Sequence, residues 1–274
     1  MSLQVASIAS GSNGNCYYIG NENEAVLIDA GISCRETEKR MRRLGLTMEK
    51  VKAIFISHEH GDHIRGVEGF ASKHKLPIYI TPATFQYSRL RIADGQALTF
   101  KAFEPIRIGG LSIMPFPKQH DAADPHSFVV SGNAVNIGVF TDIGAPCINV
   151  ITHFKTCHAV FLEANYDERM LENGRYPYHL KKRIRSEHGH LSNDQALQLF
   201  IEHRPDYLSY VYLSHLSKDN NDPVVARKTF EPHAGTTKVV IASRYEETAL
   251  YDITGNGSHV NTRIATRAIQ TSLF

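Results

Sequence analysis

His58-Glu59-His60-Gly61-Asp62-His63 decides the reading of this chain. Four candidate metal ligands, His58, His60, Asp62 and His63, fall within six residues. They follow Ala53-Ile54-Phe55-Ile56, an apolar run that reads as a buried strand. Imidazoles and a carboxylate crowded at a strand end suit a divalent transition metal. Gly61 keeps the turn tight. A merely solvated polar loop has no need of this spacing directly after a buried strand.

The bulk numbers set wide bounds. The 274 residues are 42% hydrophobic and 21% charged, as in an ordinary globular protein with a core to bury. We read them as a single domain over 1–274, with a core at about 3–242 and a C-terminal extension at 243–274. A net charge of +2 says little about partners, whereas fifteen histidines invite a search for more ligands. Cys16, Cys34, Cys147 and Cys157 lie far apart without a CxxC pair, and they read as small buried hydrophobes rather than disulfides or ligands. The start of the chain lacks a basic segment followed by an apolar one, and no apolar run is long enough to span a membrane. The expected location is cytoplasmic, with no membrane partner.

Short strands dominate early: Val5 to Ile8, Cys16 to Ile19, Ala25 to Asp29 and Ala53 to Ser57. Ser33 with Glu36 forms a capping box opening a helix through Leu44, and Ser192 with Gln195 forms a second. Further strands are expected at Leu76 to Ile80, Leu98 to Phe103, Leu111 to Phe116, Phe128 to Ser131, Asn136 to Thr141, Ala159 to Glu163, Leu208 to Leu213 and Lys238 to Ile241. Helices are expected at Ala83 to Leu90, Ile148 to Lys155, Asn193 to His203 and Pro223 to Phe230. This order suits an α/β (α+β) protein with two mixed sheets flanked by helices. The last thirty residues carry weak signals; a loose extension or a homo-oligomer contact are the two uses open to them.

Other apolar strands deliver a ligand type to their ends. Met114-Pro115-Phe116-Pro117 leads to His120, Val139-Phe140-Thr141 to Asp142, and Tyr210-Val211-Tyr212-Leu213-Ser214 to His215. With the first loop these supply the donors that a pair of cations needs: two sets of imidazoles and a carboxylate to bridge them.

The ordered set His58-x-His60-x-Asp62-His63, His120, Asp142 and His215 resembles the metallo-β-lactamase superfamily, across roughly residues 3 to 242. That resemblance implies a four-layer αββα sandwich with its metals at one edge of the two sheets. A narrower likeness rests on Ser10-Gly11-Ser12-Asn13-Gly14-Asn15-Cys16, Leu27-Ile28-Asp29-Ala30-Gly31, His120-Asp121-Ala122-Ala123-Asp124-Pro125, Leu162-Glu163-Ala164-Asn165-Tyr166-Asp167, Gly189-His190-Leu191-Ser192-Asn193 and His215-Leu216-Ser217. These resemble the YycJ/WalJ/VicX family of bacterial metallo-hydrolases, which implies nuclease activity on DNA, DNA above RNA, as an exonuclease at 5′ ends.

By resemblance, His58, His60 and His120 bind one divalent ion, Asp62, His63 and His215 bind a second, and Asp142 bridges them. Such a pair about 4 Å apart shares a hydroxide and clamps both ends of a phosphodiester displacement. Zinc is the first choice, with manganese and iron open. Some β-lactam-hydrolysing members carry Cys where Asp142 stands, so the carboxylate argues against antibiotic hydrolysis. Asp62 is also a candidate to orient the hydroxide, and Asp29 is expected to anchor the ligand loop by hydrogen bonds. His190, beside Ser192 at a helix start, is expected to bind phosphate or to protonate the leaving oxygen. Lys181, Lys182 and Arg183, with Asn165 and Ser192, are candidate substrate contacts; the bland alternative for each Lys is a solvated loop. Asn220, Asn221 and Glu163 line the pocket in this reading. Histidines 74, 153, 158, 203, 233 and 259 read as ordinary. A thioesterase or lactonase of the glyoxalase II type is the competing function, since it shares the first loop and Asp142 but has no use for the basic stretch.

Overall fold

Alternation along the early strands builds the first sheet. In the computed structural model, which describes residues 2–255 together with 262 and 263, Ser2–Ala9 (β1), Cys16–Gly20 (β2) and Ala25–Ile28 (β3) run antiparallel in succession. Helix Cys34–Arg43 (α1) then crosses to Val51–Phe55 (β4), which lies parallel to β3. After Gly61–Ile64 (α2) and Val67–His74 (α3) comes Ile78–Tyr79 (β5); Pro82–Ser88 (α4) leads to Ala97–Leu98 (β6), and both strands extend the parallel half.

The second sheet repeats the plan. Ile106–Ile108 (β7), Leu111–Pro117 (β8), His126–Gly132 (β9) and Val135–Phe140 (β10) are antiparallel neighbours. Ile148–Phe154 (α5) connects to Ala159–Glu163 (β11); Glu168–Asn173 (α6), Tyr178–Ile184 (α7) and Asn193–His203 (α8) precede Tyr210–Ser214 (β12); Pro223–Phe230 (α9) precedes Lys238–Ile241 (β13). Strands β10 to β13 are parallel. Leu250–Thr254 (β14) returns to pair antiparallel with β1, and Thr262–Arg263 (β15) pairs with β14.

The two-residue period of a strand sorts side chains into layers. Val26 and Ile28 of β3 and Tyr210 and Tyr212 of β12 enter a core between the sheets, together with Phe55, Phe128, Ile137 and Phe161. Their neighbours Ala25 and Leu27 face Met41 of α1 and Val67 and Phe70 of α3. Val211 and Leu213 face Phe154, Leu199, Phe200 and Phe230 of α5, α8 and α9. The result is the expected helix–sheet–sheet–helix sandwich. Among the described residues no helix is long and apolar enough to cross a membrane.

Several local expectations need correction. The strand expected at Leu98 to Phe103 ends at Leu98, and Phe103 takes a φ of 63°, outside extended geometry. The Ser33 cap is half a capping box: Ser33 Oγ accepts from Glu36 N, but the Glu36 carboxylate turns to Arg40 Nε at 3.1 Å. Ser192 and Gln195 make both bonds. The ordered core does not stop at 242, because Leu250 and Ile253 are buried in a strand of the first sheet. The rest of the expected extension, including His259, lies outside the described residues apart from β15.

Candidate metal centre

Five strands of the two sheets deliver their C-terminal ends to one edge. Asp29 follows β3, His58 follows β4, Asp142 follows β10, and His215 follows β12, while Glu163 is the last residue of β11. This is where open sheets of parallel strands leave a crevice. Three of these residues, Asp29, Asp142 and His215, carry left-handed backbone angles, with φ of 61°, 55° and 56°. Such conformations cost on the order of 1–3 kcal/mol each and persist only where the surroundings enforce them. Here they turn the side chain at once from the strand end into the crevice.

The ring nitrogens are oriented by their outer partners. His63 Nδ1 lies 2.7 Å from Asp29 Oδ2, His58 Nδ1 2.9 Å from Ser57 Oγ, His120 Nδ1 3.1 Å from the Gly189 carbonyl, and His215 Nδ1 3.0 Å from Glu163 Oε1. Acceptors on Nδ1 turn each Nε2 toward the crevice, where its lone pair is the one a cation would take. Those nitrogens point at one another. His58 Nε2 stands 3.1 Å and His120 Nε2 3.3 Å from His60 Nδ1, close to the edge of a tetrahedron with metal–nitrogen bonds of about 2.0–2.1 Å. His63 Nε2 and His215 Nε2 lie 3.5 and 3.4 Å from Asp62 Oδ2. Between the two groups sits Asp142, with Oδ2 3.2 Å from His63 Nε2 and Oδ1 3.9 Å from His120 Nε2. Asp142 Oδ2 is buried and makes no well-directed hydrogen bond among the described residues. The nitrogens of His58, His60 and His120 converge on one point, and the carboxylates of Asp62 and Asp142 stand among those of His63 and His215, so the donor set fits divalent metal ions. His58/His60/His120 and Asp62/His63/His215 are each compact enough to hold one, and Asp142 reaches both neighbourhoods.

Electrostatics tell the same story. Burial, reinforced by the charge of His63, drives His58 well below the usual imidazole range, and burial takes His120 down to about 3. Burial opposes a charge on His63 and His215 too, yet the carboxylates outweigh it. Asp142, Asp29 and Asp62 hold His63 well above its ordinary value, and Asp142, Asp62 and Glu163 push His215 up to about 10. Burial likewise disfavours ionised Asp142, but His215 and His63 keep its pKa well below the carboxylate range. Without metal, then, His63 and His215 carry protons at neutral pH, and these must leave when a cation takes their place. Zinc binding to metal-free protein at pH 7 should release about one to two protons, and the affinity should climb with pH at a matching slope. Calorimetry in buffers of different ionisation heat checks this; identical heats in all of them would contradict it.

The remaining expected residues take varied positions. His190 Nδ1 meets Glu163 Oε1 at 2.7 Å and Asp142 Oδ1 at 3.9 Å, with its ring 5.2–5.3 Å from those of His215 and His120. Its Nε2 has no partner among the described residues. Asn165 donates to the His215 carbonyl at 2.8 Å and so holds that ligand candidate rather than open space. The buried Ser192 hydroxyl caps α8. The basic stretch is helix α7, not a loop, and acids from elsewhere in the chain oppose it. Arg183 Nε lies 2.5 Å from Asp121, Arg185 pairs with Glu168 and Glu172, and Lys181 donates to the Glu172 carbonyl, while Lys182 is exposed with no partner among the described residues. Asn221 bonds the Ala164 and Asn165 carbonyls, and the side-chain atoms of buried Asn220 have no hydrogen-bond partner among the described residues.

Three contributors escaped the sequence reading. Asn15 Nδ2 reaches Asp62 Oδ2 at 3.2 Å. Ser57 donates from its backbone N and its hydroxyl to Asp29. Lys118 is buried, with Nζ 2.7 Å from the Thr141 carbonyl beside Asp142. Only Lys118 carried a signal: a charge at the end of an apolar strand, two residues before His120.

Comparison with known proteins agrees with this geometry. Residues 9–144 match the family model of the metallo-beta-lactamase superfamily. Exodeoxyribonuclease YycJ of Bacillus anthracis is 34% identical over 230 residues, which covers 83% of this chain and 87% of that protein. Exodeoxyribonuclease WalJ of Streptococcus pneumoniae serotype 2 (strain D39) is 30% identical over 227 residues, covering 81% and 84%. Among solved structures, the metallo-beta-lactamase fold protein YhfI from Bacillus subtilis aligns with a TM-score of 0.70 at 17% identity, over 90% of this chain and 99% of that one. The short form of human tRNase Z aligns at 0.59 and 17%, over 90% and 98%. At such identities the two structures speak for the fold alone. With YycJ and WalJ matched over most of its length and the donor set of the fold in place, the chain belongs to the metallo-β-lactamase superfamily, within the YycJ/WalJ family, and is a metal-dependent hydrolase.

Proposed function

We propose that the protein is a dinuclear metal-dependent phosphodiesterase, an exonuclease that degrades DNA from 5′ ends. Two donor triads with Asp142 between them carry the dinuclear reading. His58, His60 and His120 would hold one divalent ion, Asp62, His63 and His215 the other, and Asp142 would touch both. Zinc is preferred, and manganese or iron would also suit an all-His/Asp set. Bound there, the ions supply the positive charge that activates a water and steadies a phosphate in displacement. DNA as substrate is supported by the names of the YycJ and WalJ relatives. The shared core between the sheets supports reading 1–274 as one domain, and free cysteines accord with a cytoplasmic location.

The protein's own groups divide the proton work. Asp62, oriented by Asn15, is placed to take a proton from the attacking water. His190, braced through Nδ1 by Glu163, is placed to give one to the leaving oxygen from Nε2. That second group favours a phosphodiester over a thioester. A sugar alkoxide is a far stronger base than a thiolate, whose parent thiol has a pKa of about 8.5, so only the alkoxide needs a donor to depart. Lys182 at the α7 surface is the uncommitted charge available to the backbone of a bound strand.

Incubating metal-loaded protein with end-labelled single- and double-stranded DNA, RNA and a generic thioester tests the reading. The expected product is a ladder of DNA shortened stepwise from its 5′ end, with the thioester untouched. Thioester turnover without a ladder would favour the glyoxalase II type instead.

A further inference from the structure

A pocket of about 410 Å³ opens beside the metal centre, walled by the turn that begins at Ser10, the segment after His215, and the strand end at 241–246. That volume is within the range of roughly 300–1,000 Å³ typical for small ligands. It shares a wall with the candidate active site: Ser10 Oγ accepts the His215 backbone N–H at 2.8 Å, and Leu216 and Ser217 follow His215 directly. Arg244 lies half-buried in its side. Nη1 faces Ser12 Oγ at 3.3 Å and Asn13 Oδ1 at 3.4 Å, and Nη2 donates to the Leu216 carbonyl. A guanidinium has five N–H donors. Nε–H and one Nη2–H therefore remain without a partner among the described residues.

No carboxylate forms an ion pair with Arg244 among the described residues, although burial pulls its pKa down. Lys218 adds a second cation at the same pocket, exposed and without a partner among the described residues. Two acids also line it, and Asp219 acts on Arg244 from nearby while accepting from Tyr176 OH at 3.0 Å, but none of the three forms an ion pair with the guanidinium among the described residues. Asp222 caps α9 through a 2.7 Å bond to Val224 N, and Glu246 is exposed. Gly11, with φ of 143°, leaves the guanidinium its place, since a Cβ there would stand 3.1 Å from Nη2. Tyr245 is 72% exposed and offers a ring on which a base can stack.

We infer that this pocket binds the phosphomonoester at the end of a nucleic-acid strand, with Arg244 and Lys218 as its ligands, and so sets where the strand stops relative to the metal centre; this rests on the nuclease reading above. A forked guanidinium that lacks an acidic partner matches two oxygens of a terminal phosphate, which carries more charge than an internal diester. An exonuclease needs a feature that recognises an end, and here one lies next to His215.

The test uses metal-loaded protein and three oligodeoxynucleotides of one sequence, bearing a 5′-phosphate, a 3′-phosphate or neither, each with phosphorothioate terminal linkages to slow cleavage. Fluorescence anisotropy should show tighter binding, by about tenfold or more, of one phosphorylated end, and which end wins identifies the polarity. Arg244→Gln should erase that preference while leaving affinity for the unphosphorylated strand, and turnover of bis(p-nitrophenyl) phosphate, unchanged. Equal binding of all three strands by the unaltered protein would overturn the inference, as would an equal loss on all three in Arg244→Gln. Should Arg244→Gln fail to fold, Lys218→Ala decides, because that side chain is exposed and has no partner among the described residues; an undiminished end preference there counts against the pocket. If the end preference is present but no unmodified strand is degraded, the nuclease reading fails and the phosphate pocket stands.

Discussion

Asp142→Asn should leave a folded protein that holds fewer than two metal ions and hydrolyses its substrate more than about 100-fold more slowly. Removing a partner outside the ligand set typically costs roughly 10–100-fold in affinity or activity, and Asp142 stands inside it. The carboxamide keeps the shape of the side chain but has one acceptor oxygen where the geometry asks for two, Oδ2 toward His63 and Oδ1 toward His120. It also removes the negative charge between imidazoles that would otherwise offset two dications. Elemental analysis alongside kcat on a phosphodiester checks both halves. A variant with full metal and full turnover would show that Asp142 does not bridge.

Glu163→Gln should destabilise the metal-free protein by about 3 kcal/mol and slow hydrolysis at least tenfold. All four groups facing this buried carboxylate are donors. Oε1 accepts from His190 and His215, at 2.7 and 3.0 Å, and Oε2 from the Ile143 and Leu191 backbone at 2.6 and 3.4 Å. A carboxamide must turn its NH2 toward one of these pairs, leaving donor against donor in a dry site. Burial alone would raise the Glu163 pKa, but His190 and His215 carry it down from 4.5 to about 2. Because the folded value is depressed, the stabilisation is fully present above pH 4.5 and drains away as the pH falls toward 2. Chemical denaturation of both proteins across that window should show the gap closing from above. A gap that stays constant with pH would mean that the carboxylate charge is not what stabilises the fold.

What could be read in advance, and what could not, follows the range of the interactions. His58 to His63 were legible because the ligand types are contiguous and a buried strand sets them up. His120, Asp142 and His215 were legible because each ends an apolar strand, and strand ends of a two-sheet protein gather at its edge. Asn15 and Ser57 were not, since their importance lies in what they touch, Asp62 and Asp29, rather than in their type. Helix α7 was missed because none of its residues is buried, so it has no apolar stripe to betray its period. Strand β14 was missed for a related reason: along it only Leu250 and Ile253 are buried, which breaks the two-residue alternation. The basic stretch looked freer than it is because Asp121, Glu168 and Glu172 come to it from outside its own segment.

The pairing of β14 with β1 has a temporal consequence. Ser2 Oγ bonds Asp252, 250 residues away, so β1 leaves the ribosome 250 residues before its partner strand. At about 5–20 residues per second the delay is roughly ten seconds to a minute. Throughout it the nascent β1 has an open edge of the kind that invites wrong pairing. The turn that carries Ser10 and Asn15 to the crevice hangs from that same strand, and Ser10 N is tied to the Ser243 carbonyl. The Ser10 side of the crevice is therefore fixed only once residue 243 has been made and folded back.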